Sequence, residues 1–405
     1  MDAEIIIAGA GPAGIAAAVA LARRRRDLAE AGRIVCFDKA RFPREKPCGG
    51  GLTGHARAAL ESLQLAVRVP AVPCRSGRIV YGTEARTVAL ERPVDVVRRE
   101  EFDADLVVQA RSQGVIVVEA EGVMSHEVDR ARGVVRVTTS KGRRLLARVL
   151  IGADGAGSRV RKQLLAGEPE LRARPLRLFK LEIPAPRPFA DEMIYDFSPM
   201  KCGLRGYVWL FPVAGGRLNV GAMHTSASAH GLGSGDILRI LDRTLARHGV
   251  TLPSTARGWP AWPYTPRARL AGPHVLCVGD AAGIDALTGE GIAVGLEHGL
   301  VAAEAVEHAL NSGDLSFATY TRRVRLATVG RELALDRRLA RCLYGPRASR
   351  FWLSLVMFDR RMRELYASRV CGSEVLADKS ASLLAALARH IVAAPLRLRR
   401  LSRAD

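Results

Sequence analysis

Gly9-Ala10-Gly11-Pro12-Ala13-Gly14 has the G-x-G-x-x-G spacing that lets a backbone turn approach a pyrophosphate, and Asp38 is an acid that could accept ribose hydroxyls. Asp38 lies slightly beyond the roughly 20 residues usual for such an acid. Two further stretches repeat the idea of an apolar run ending in small residues and a carboxylate: Gly152-Ala153-Asp154-Gly155-Ala156-Gly157-Ser158-Arg159, and Gly279-Asp280-Ala281-Ala282-Gly283 followed by Leu287-Thr288-Gly289-Glu290-Gly291-Ile292. Small residues admit a flat or phosphorylated ligand, and the acids could bind sugar or ribityl hydroxyls. One such turn is common, whereas three in this order describe a clasp for a single dinucleotide.

Two other runs bear chemistry. Lys46-Pro47-Cys48-Gly49-Gly50-Gly51-Leu52 sets a thiol beside three glycines, so Cys48 reads either as a proton donor against a flat ligand or as a small packing residue. Lys46 reads as a phosphate partner or as a solvated loop lysine. In Tyr207-Val208-Trp209-Leu210-Phe211-Pro212 the aromatics alternate with aliphatics, so a strand would project them to one face. That face is an aromatic wall for an apolar substrate, or ordinary sheet core.

Other chemistries are poorly supported. The nine histidines show no H-E-x-x-H spacing and no G-x-S-x-G elbow is present; His55, His224 and His298 read as surface or structural residues. Seven cysteines without a C-x-x-C pair indicate neither a disulfide framework nor a zinc site, which fits a reducing cytoplasm. The net charge of +20, from 61 Lys and Arg against 41 Asp and Glu, attracts polyanions. Specific nucleic-acid binding is disfavoured, because the basic residues are dispersed and aromatics are 5%. An anionic membrane surface, a phosphorylated substrate and an arginine-rich genome all fit the charge.

The elements that must position these residues follow from periodicity. Glu4 to Ala8 reads as a buried strand and Ile15 to Arg24 as a helix whose N-terminus faces the pyrophosphate. The uncharged run Ile5 to Ala22 is too glycine-rich for a membrane span, and its basic residues follow it rather than precede it. Strands are expected over Ile34 to Phe37, Ala147 to Ile151 and His274 to Val278, an extended helix end and loop at Arg23 to Gly32, and a helix over Ala293 to Leu310. Residues 75 to 95 and 174 to 264 read as strands with turns. A helical tail follows Ser316, where Leu383, Leu384, Leu387 and Ile391 fall at helical spacing ahead of Arg397, Arg399 and Arg400. That segment reads either as a helix lying on an anionic bilayer or as one packed on the protein with a solvated arginine face.

The order of G-x-G-x-x-G, Arg99-x-x-Phe-Asp, G-A-D-G and G-D-A-A-G resembles the flavoprotein hydroxylase superfamily, over about residues 3 to 330. Within it, P-C-G-G-G and Y-x-W-x-F-P look like the geranylgeranyl reductase family. The resemblance implies an α/β fold: a Rossmann-like FAD-binding domain, an inserted α+β substrate domain with an antiparallel sheet, and a helical C-terminal region. The corresponding boundaries are 1–74 with 96–173 and 265–330, then 75–95 with 174–264, then 331–405. It implies FAD held by Gly9, Gly11, Pro12, Ala13, Gly14, Asp38, Lys39, Gly50, Arg99, Asp154, Gly279, Asp280, Gly289, Gly291 and Ile292. In that pattern Arg99 lies near the phosphates, Asp280 near the ribityl or pyrophosphate region, and Gly289 to Ile292 at the pyrimidine edge. Cys48, Gly49, Gly50, Tyr207 and Trp209 would act on the substrate.

The implied activity is hydride delivery from reduced flavin to isolated C=C bonds of a prenyl (geranylgeranyl-type) or similarly apolar alkene. An unactivated alkene also needs a proton from a positioned donor. The alternative is an FAD-dependent monooxygenase or halogenase on an aromatic or other apolar substrate, because Y-x-W-x-F-P also resembles the W-x-W-x-I-P of flavin halogenases. With no second G-x-G-x-x-G, NAD(P)H binding transiently or a ferredoxin would supply electrons. An apolar alkene-containing small molecule or lipid is the expected partner, with peripheral membrane contact an accompanying expectation. Ala286, where many relatives have proline, puts the local turn in question.

Overall fold

The computed structural model describes residues 2–168, 175–186, 189, 191–225, 231–253, 256–345 and 348–403. The expected boundary at residues 173 and 174 lies outside them.

A six-stranded sheet is built around the wholly buried strand Ile5–Ala8. Val149–Gly152 and Ile34–Phe37 flank it in parallel, with Ile5 opposite both Val149 and Ile34, and Ala8 opposite Gly152 and Phe37. Val275–Cys277 and Ile116–Val118 extend the sheet in parallel, and Ala271–Gly272 closes one edge antiparallel. This register brings the carboxyl ends of the central strands level, so the glycine turns that follow them open on one edge, where ligands of doubly wound sheets sit. Such strands are apolar throughout because both faces are covered.

Helix Pro12–Arg24 is alanine-rich for a packing reason. It lies against helix Ile292–Ser312, where a Cβ on Gly299 would come within 2.6 Å of the Ala16 Cβ and 2.7 Å of the Ala17 nitrogen. The segment expected as an extended helix end and loop from Arg23 breaks at Arg25 and continues as a second short helix, Arg26–Glu30, where Arg25 Nε donates to Asp27 at 2.9 Å.

The apolar run Ala147 to Ile151 is not one strand. Arg144–Ala147 ends a three-stranded antiparallel meander with Val123–Asp129 and Val134–Thr139, and Val149–Gly152 enters the six-stranded sheet. Arg148 makes the switch: its N–H donates to the Glu4 carbonyl at 3.0 Å and its guanidinium to the Glu4 carboxylate at 3.0 Å.

An eight-stranded sheet runs in the order Arg257–Ala261, Leu176–Pro184, Arg217–Thr225, Gly206–Val213, Glu192–Asp196, Ala71–Tyr81, Glu84–Val97, Gly51–Leu52. It is antiparallel except for the parallel pair Glu192–Asp196 and Ala71–Tyr81. Alternation sorts its faces as expected. Val208, Leu210 and Val220 pack beneath helix Ser234–Arg247, while Tyr207, Trp209 and Phe211 belong to a second apolar cluster on the opposite face. The helical tail is five helices, Tyr320–Leu326, Thr328–Leu343, Ser349–Phe358, Arg360–Val370 and Ser380–Arg403, with a 3₁₀ turn at Leu376–Asp378.

Candidate functional site

The three glycine turns converge. A Cβ on Gly9 would meet the Ala153 carbonyl oxygen at 2.3 Å, and one on Gly279, at φ +59°, would meet the Ala13 Cβ at 2.6 Å. These are approaches only glycine permits. Helices Pro12–Arg24 and Ile292–Ser312 therefore begin side by side, N-capped by Gly11 and Gly291 with no side chain bonded to either first turn. Two neighbouring sets of free N–H groups suit a ligand with acceptors at separate points, such as a pyrophosphate and a reduced flavin.

Cations line the same edge. Lys46 Nζ donates to Asp280 Oδ2 at 2.9 Å and lies 3.9 Å from where a Cβ on Gly155 would stand. Arg44, which sequence reasoning did not single out, reaches 3.2 Å from the corresponding point on Gly11 and 3.2 Å from Asp103. Burial works against the Asp280 carboxylate, but Lys46, Arg99 and Arg44 outweigh it and hold its pKa below the ordinary value. Lys46 is thus ion-paired rather than merely solvated. The signal for Arg44 lay in the basic run Arg41 to Lys46, which has no period to read.

Asp38 sits at the end of its strand and accepts from the N–H groups of Ala10 and Ala40, each at 2.9 Å, which ties it to the first glycine turn. Lys39 is exposed beside Gly122. Asp154 is engaged within its own turn, accepting from Ser158 Oγ at 2.5 Å and Arg159 N–H at 2.7 Å, where it starts helix Arg159–Leu164. Arg99 is buried, in a bidentate pair with Asp103 at 2.8 Å on both bonds. Burial opposes its charge, yet Asp103 and Cys48 hold its proton more tightly than usual.

The Cys48 turn joins this edge to the eight-stranded sheet. Gly50, at φ +81°, donates its N–H to Cys48 Sγ at 3.4 Å, and Gly51–Leu52 forms the sheet's edge, paired with Glu84–Val97. A Cβ on Gly49 would lie 2.8 Å from the Phe211 ring and 3.9 Å from Trp209 Nε1. The thiol is half-buried.

Three rows of side chains face this turn from the sheet. Register aligns Leu178 with Met223 and Tyr207, Lys180 with Gly221 and Trp209, and Glu182 with Asn219 and Phe211. Residues in register share a face. The wall is therefore aromatic and aliphatic with a buried ion pair set in it: Lys180 Nζ donates to Glu182 at 2.8 Å, and Glu182 also pairs with Arg98 at 3.0 Å. Burial pushes the Glu182 carboxyl up, but Lys180 and Arg98 more than reverse it and its pKa falls. Asn219 binds Trp209 Nε1 at 2.9 Å and the Cys48 carbonyl at 2.7 Å. Lys180, Glu182 and Asn219 escaped sequence reasoning; alternation along their strands was the only signal.

The third turn closes the opposite side. Tyr207 Oη donates to the Thr288 carbonyl at 2.5 Å and Tyr344 Oη to the Leu287 carbonyl at 2.6 Å. A Cβ on Gly289 would be 3.3 Å from Met223 Sδ. The turn at Ala286 holds without a proline because Asp285 accepts from Leu287 N–H at 2.5 Å and Thr288 N–H at 2.8 Å. Glu290 accepts from Thr53 Oγ1 at 2.5 Å, and burial raises its pKa. Gly291 faces Asp280 and Ile292 is buried beside it. Of the three singled-out histidines, His298 and His224 are buried and structural, accepting the Gly279 and Arg205 N–H groups, and His55 is half-buried and pairs with Glu297 at 3.2 Å.

The FAD-binding domain family matches residues 2–201. The chain is 31% identical over 369 residues to the menaquinone reductase of Mycobacterium tuberculosis, covering 85% of each chain. It is 28% identical to digeranylgeranylglycerophospholipid reductase 2 of Methanopyrus kandleri, covering 78% of this chain and 80% of that one. The chain belongs to the geranylgeranyl reductase family of FAD-dependent oxidoreductases. A solved geranylgeranyl bacteriochlorophyll reductase-like protein of Thermoplasma acidophilum matches this family member over 99% of both chains, with TM-score 0.75 and 19% identity, which shows the shared architecture. FAD is accordingly its cofactor, and the paired helix N-termini, the glycine approaches and the Arg44–Lys46 cations fit that dinucleotide.

Proposed function

We propose that this oxidoreductase reduces isolated C=C bonds in a polyprenyl chain carried by a lipid. The observation that carries the reading is the seating of the Cys48 turn on the aromatic wall, through Gly49 against Phe211 and Asn219 against the Cys48 carbonyl. The relatives' names point the same way: menaquinone and digeranylgeranylglycerophospholipid both carry prenyl chains.

Gly9, Gly11 and Gly14 with Arg44 and Lys46 would hold the pyrophosphate, Asp38 the ribose, and Asp280 the region between. The N–H groups of Gly289 to Ile292 would face the pyrimidine edge, where a helix start favours negative charge. Residues 1–74, 96–173 and 265–330 would form the FAD domain, 75–95 with 174–264 the substrate domain, and 331–405 a helical cover.

Bound and reduced, FAD would supply the hydride for one alkene carbon. The other carbon needs a proton, which we assign to Cys48 Sγ; Arg99 beside it would steady the thiolate left behind, and solvent would return the proton. Tyr207 and Trp209 would hold the chain in line for transfer. NAD(P)H or a reduced ferredoxin would reduce the flavin, and the enzyme would work in the cytoplasm.

The test is anaerobic turnover of the reduced protein with prenyl diphosphates, prenyl lipids and quinones, read by mass. A gain of two hydrogens per bond is expected. Failure of every alkene to reoxidise the flavin, with oxygen or halogen inserted instead under air, would overturn the reading in favour of an oxygenase or halogenase.

A further inference from the structure

Helix Ser380–Arg403 carries its apolar residues on the wrong side for a soluble helix. Its inner face is narrow and small: Ala386, His390, Ala394 and Leu401 are buried. Its solvent face presents Leu384 at 66% exposure, Ile391 at 58%, Val392 at 84% and Leu396 at 72%. These are four of the eight strongly exposed large apolar side chains among the described residues. Spaced 384, 388, 391, 392, 395 and 396, they form one continuous stripe with Ala388 and Pro395.

Arginines border the stripe. The Arg389 side chain is 52% exposed, Arg400 60%, Arg360 86% and Arg361 57%, and Arg399 is exposed at the helix end. Arg389, Arg360 and Arg361 line one surface hollow with Asp359 and Glu364. Asp359 pairs with Arg389 and Arg397, Glu364 with Arg360 and Arg361, and Glu84 with Arg400, so with Arg399 the face carries six arginines against three acids and keeps an excess of positive charge.

We propose that this face lies in the headgroup region of an anionic lipid bilayer, with the apolar stripe inserted and the arginines on lipid phosphates. By length and composition Ser380–Ser402 could cross a membrane. It is tied down instead: His390 Nε2 meets Ser354 Oγ at 3.0 Å, Arg350 donates to Ser402 Oγ at 2.9 Å and Arg400 to Glu84 at 2.7 Å. A helix docked on helix Ser349–Phe358 through His390 and Ser402 offers one face to a surface and does not span. The excess positive charge selects an anionic surface over a neutral one.

On the helix's inner side, Leu401 packs with Leu353 and Met357 into the same buried apolar cluster as Tyr207, Trp209 and Phe211, so the helix that carries the stripe is anchored on the core behind the wall. The proposal goes beyond the reductase reading and its test needs no turnover.

The FAD-loaded protein is floated with phosphatidylcholine vesicles, with and without phosphatidylglycerol, at low and high salt. Binding to the anionic vesicles, weakened by salt, is expected, and an Ile391→Asp/Val392→Asp variant should bind at least about tenfold more weakly. Unchanged flavin content and melting temperature show that this variant folds; if it does not, Leu384→Ser/Leu396→Ser is read instead. Absence of flotation, equal binding by a folded variant, or a dimer that the substitutions split while vesicles are ignored would each overturn the proposal.

Discussion

The Asn219 side chain donates to the Cys48 carbonyl at 2.7 Å, across 171 residues of sequence, while accepting from Trp209 Nε1. One buried amide thus sets the thiol turn against the aromatic wall. Asn219→Leu leaves two buried polar groups unpaired, at a cost of about 1–3 kcal/mol. FAD should be retained while flavin reoxidation by substrate slows by roughly tenfold or more. Stopped-flow absorbance and thermal unfolding check both, and an unchanged rate would detach the wall from the chemistry.

Cys48→Ala separates the thiol's two readings. As proton donor, its loss should lower turnover by about 10²–10⁴-fold with normal flavin absorbance. A packing role would leave Ala nearly neutral, and single-turnover product mass distinguishes them.

Lys180 and Glu182 are a buried pair in an apolar wall. Lys180→Met leaves Glu182 only Arg98, and should destabilise by about 1–3 kcal/mol. Lys180→Met/Glu182→Leu should recover part of that, because removing both partners costs less than orphaning one. Urea melts of the three proteins measure this.

His298 lies wholly buried under Gly279, and burial lowers its pKa from 6.5 to about 4. The folded protein keeps the ring neutral while the unfolded chain protonates it below 6.5. Stability contributed by the neutral ring is therefore complete above pH 6.5 and declines as pH falls towards 4, by about 3 kcal/mol in all. His298→Asn should flatten the difference in unfolding free energy over that window, seen in urea melts at stepped pH.

Gly299→Ala would drive a methyl into Ala16 and Ala17. A cost of about 1–3 kcal/mol is expected from overpacking, with weaker FAD retention because the two helix starts are spread. Thermal unfolding and flavin release on dilution report the two effects.

Local rules made much of this legible. The strand, glycine turn and helix at Ile5–Arg24, the aromatic alternation in Gly206–Val213 and the helix at Ile292–Ser312 follow from periodicity and backbone sterics, which act over a few residues. Those rules also named the thiol turn. They failed at Arg148, where a charge paired with Glu4 splits an apolar run between two sheets.

Contacts across long separations were invisible in one dimension. Arg44 against Gly11 and Asp103, Lys180 and Trp209 in register across Gly221, Tyr344 on the Leu287 carbonyl and Asp285 in place of a proline turn depend on which elements become neighbours. The last helix makes the point most sharply. Its amphipathic spacing could be read from residue order, but which of its apolar residues faced water beside the arginines rested on what helix Ser349–Phe358 offered to pack against, and that is a property of the assembled chain.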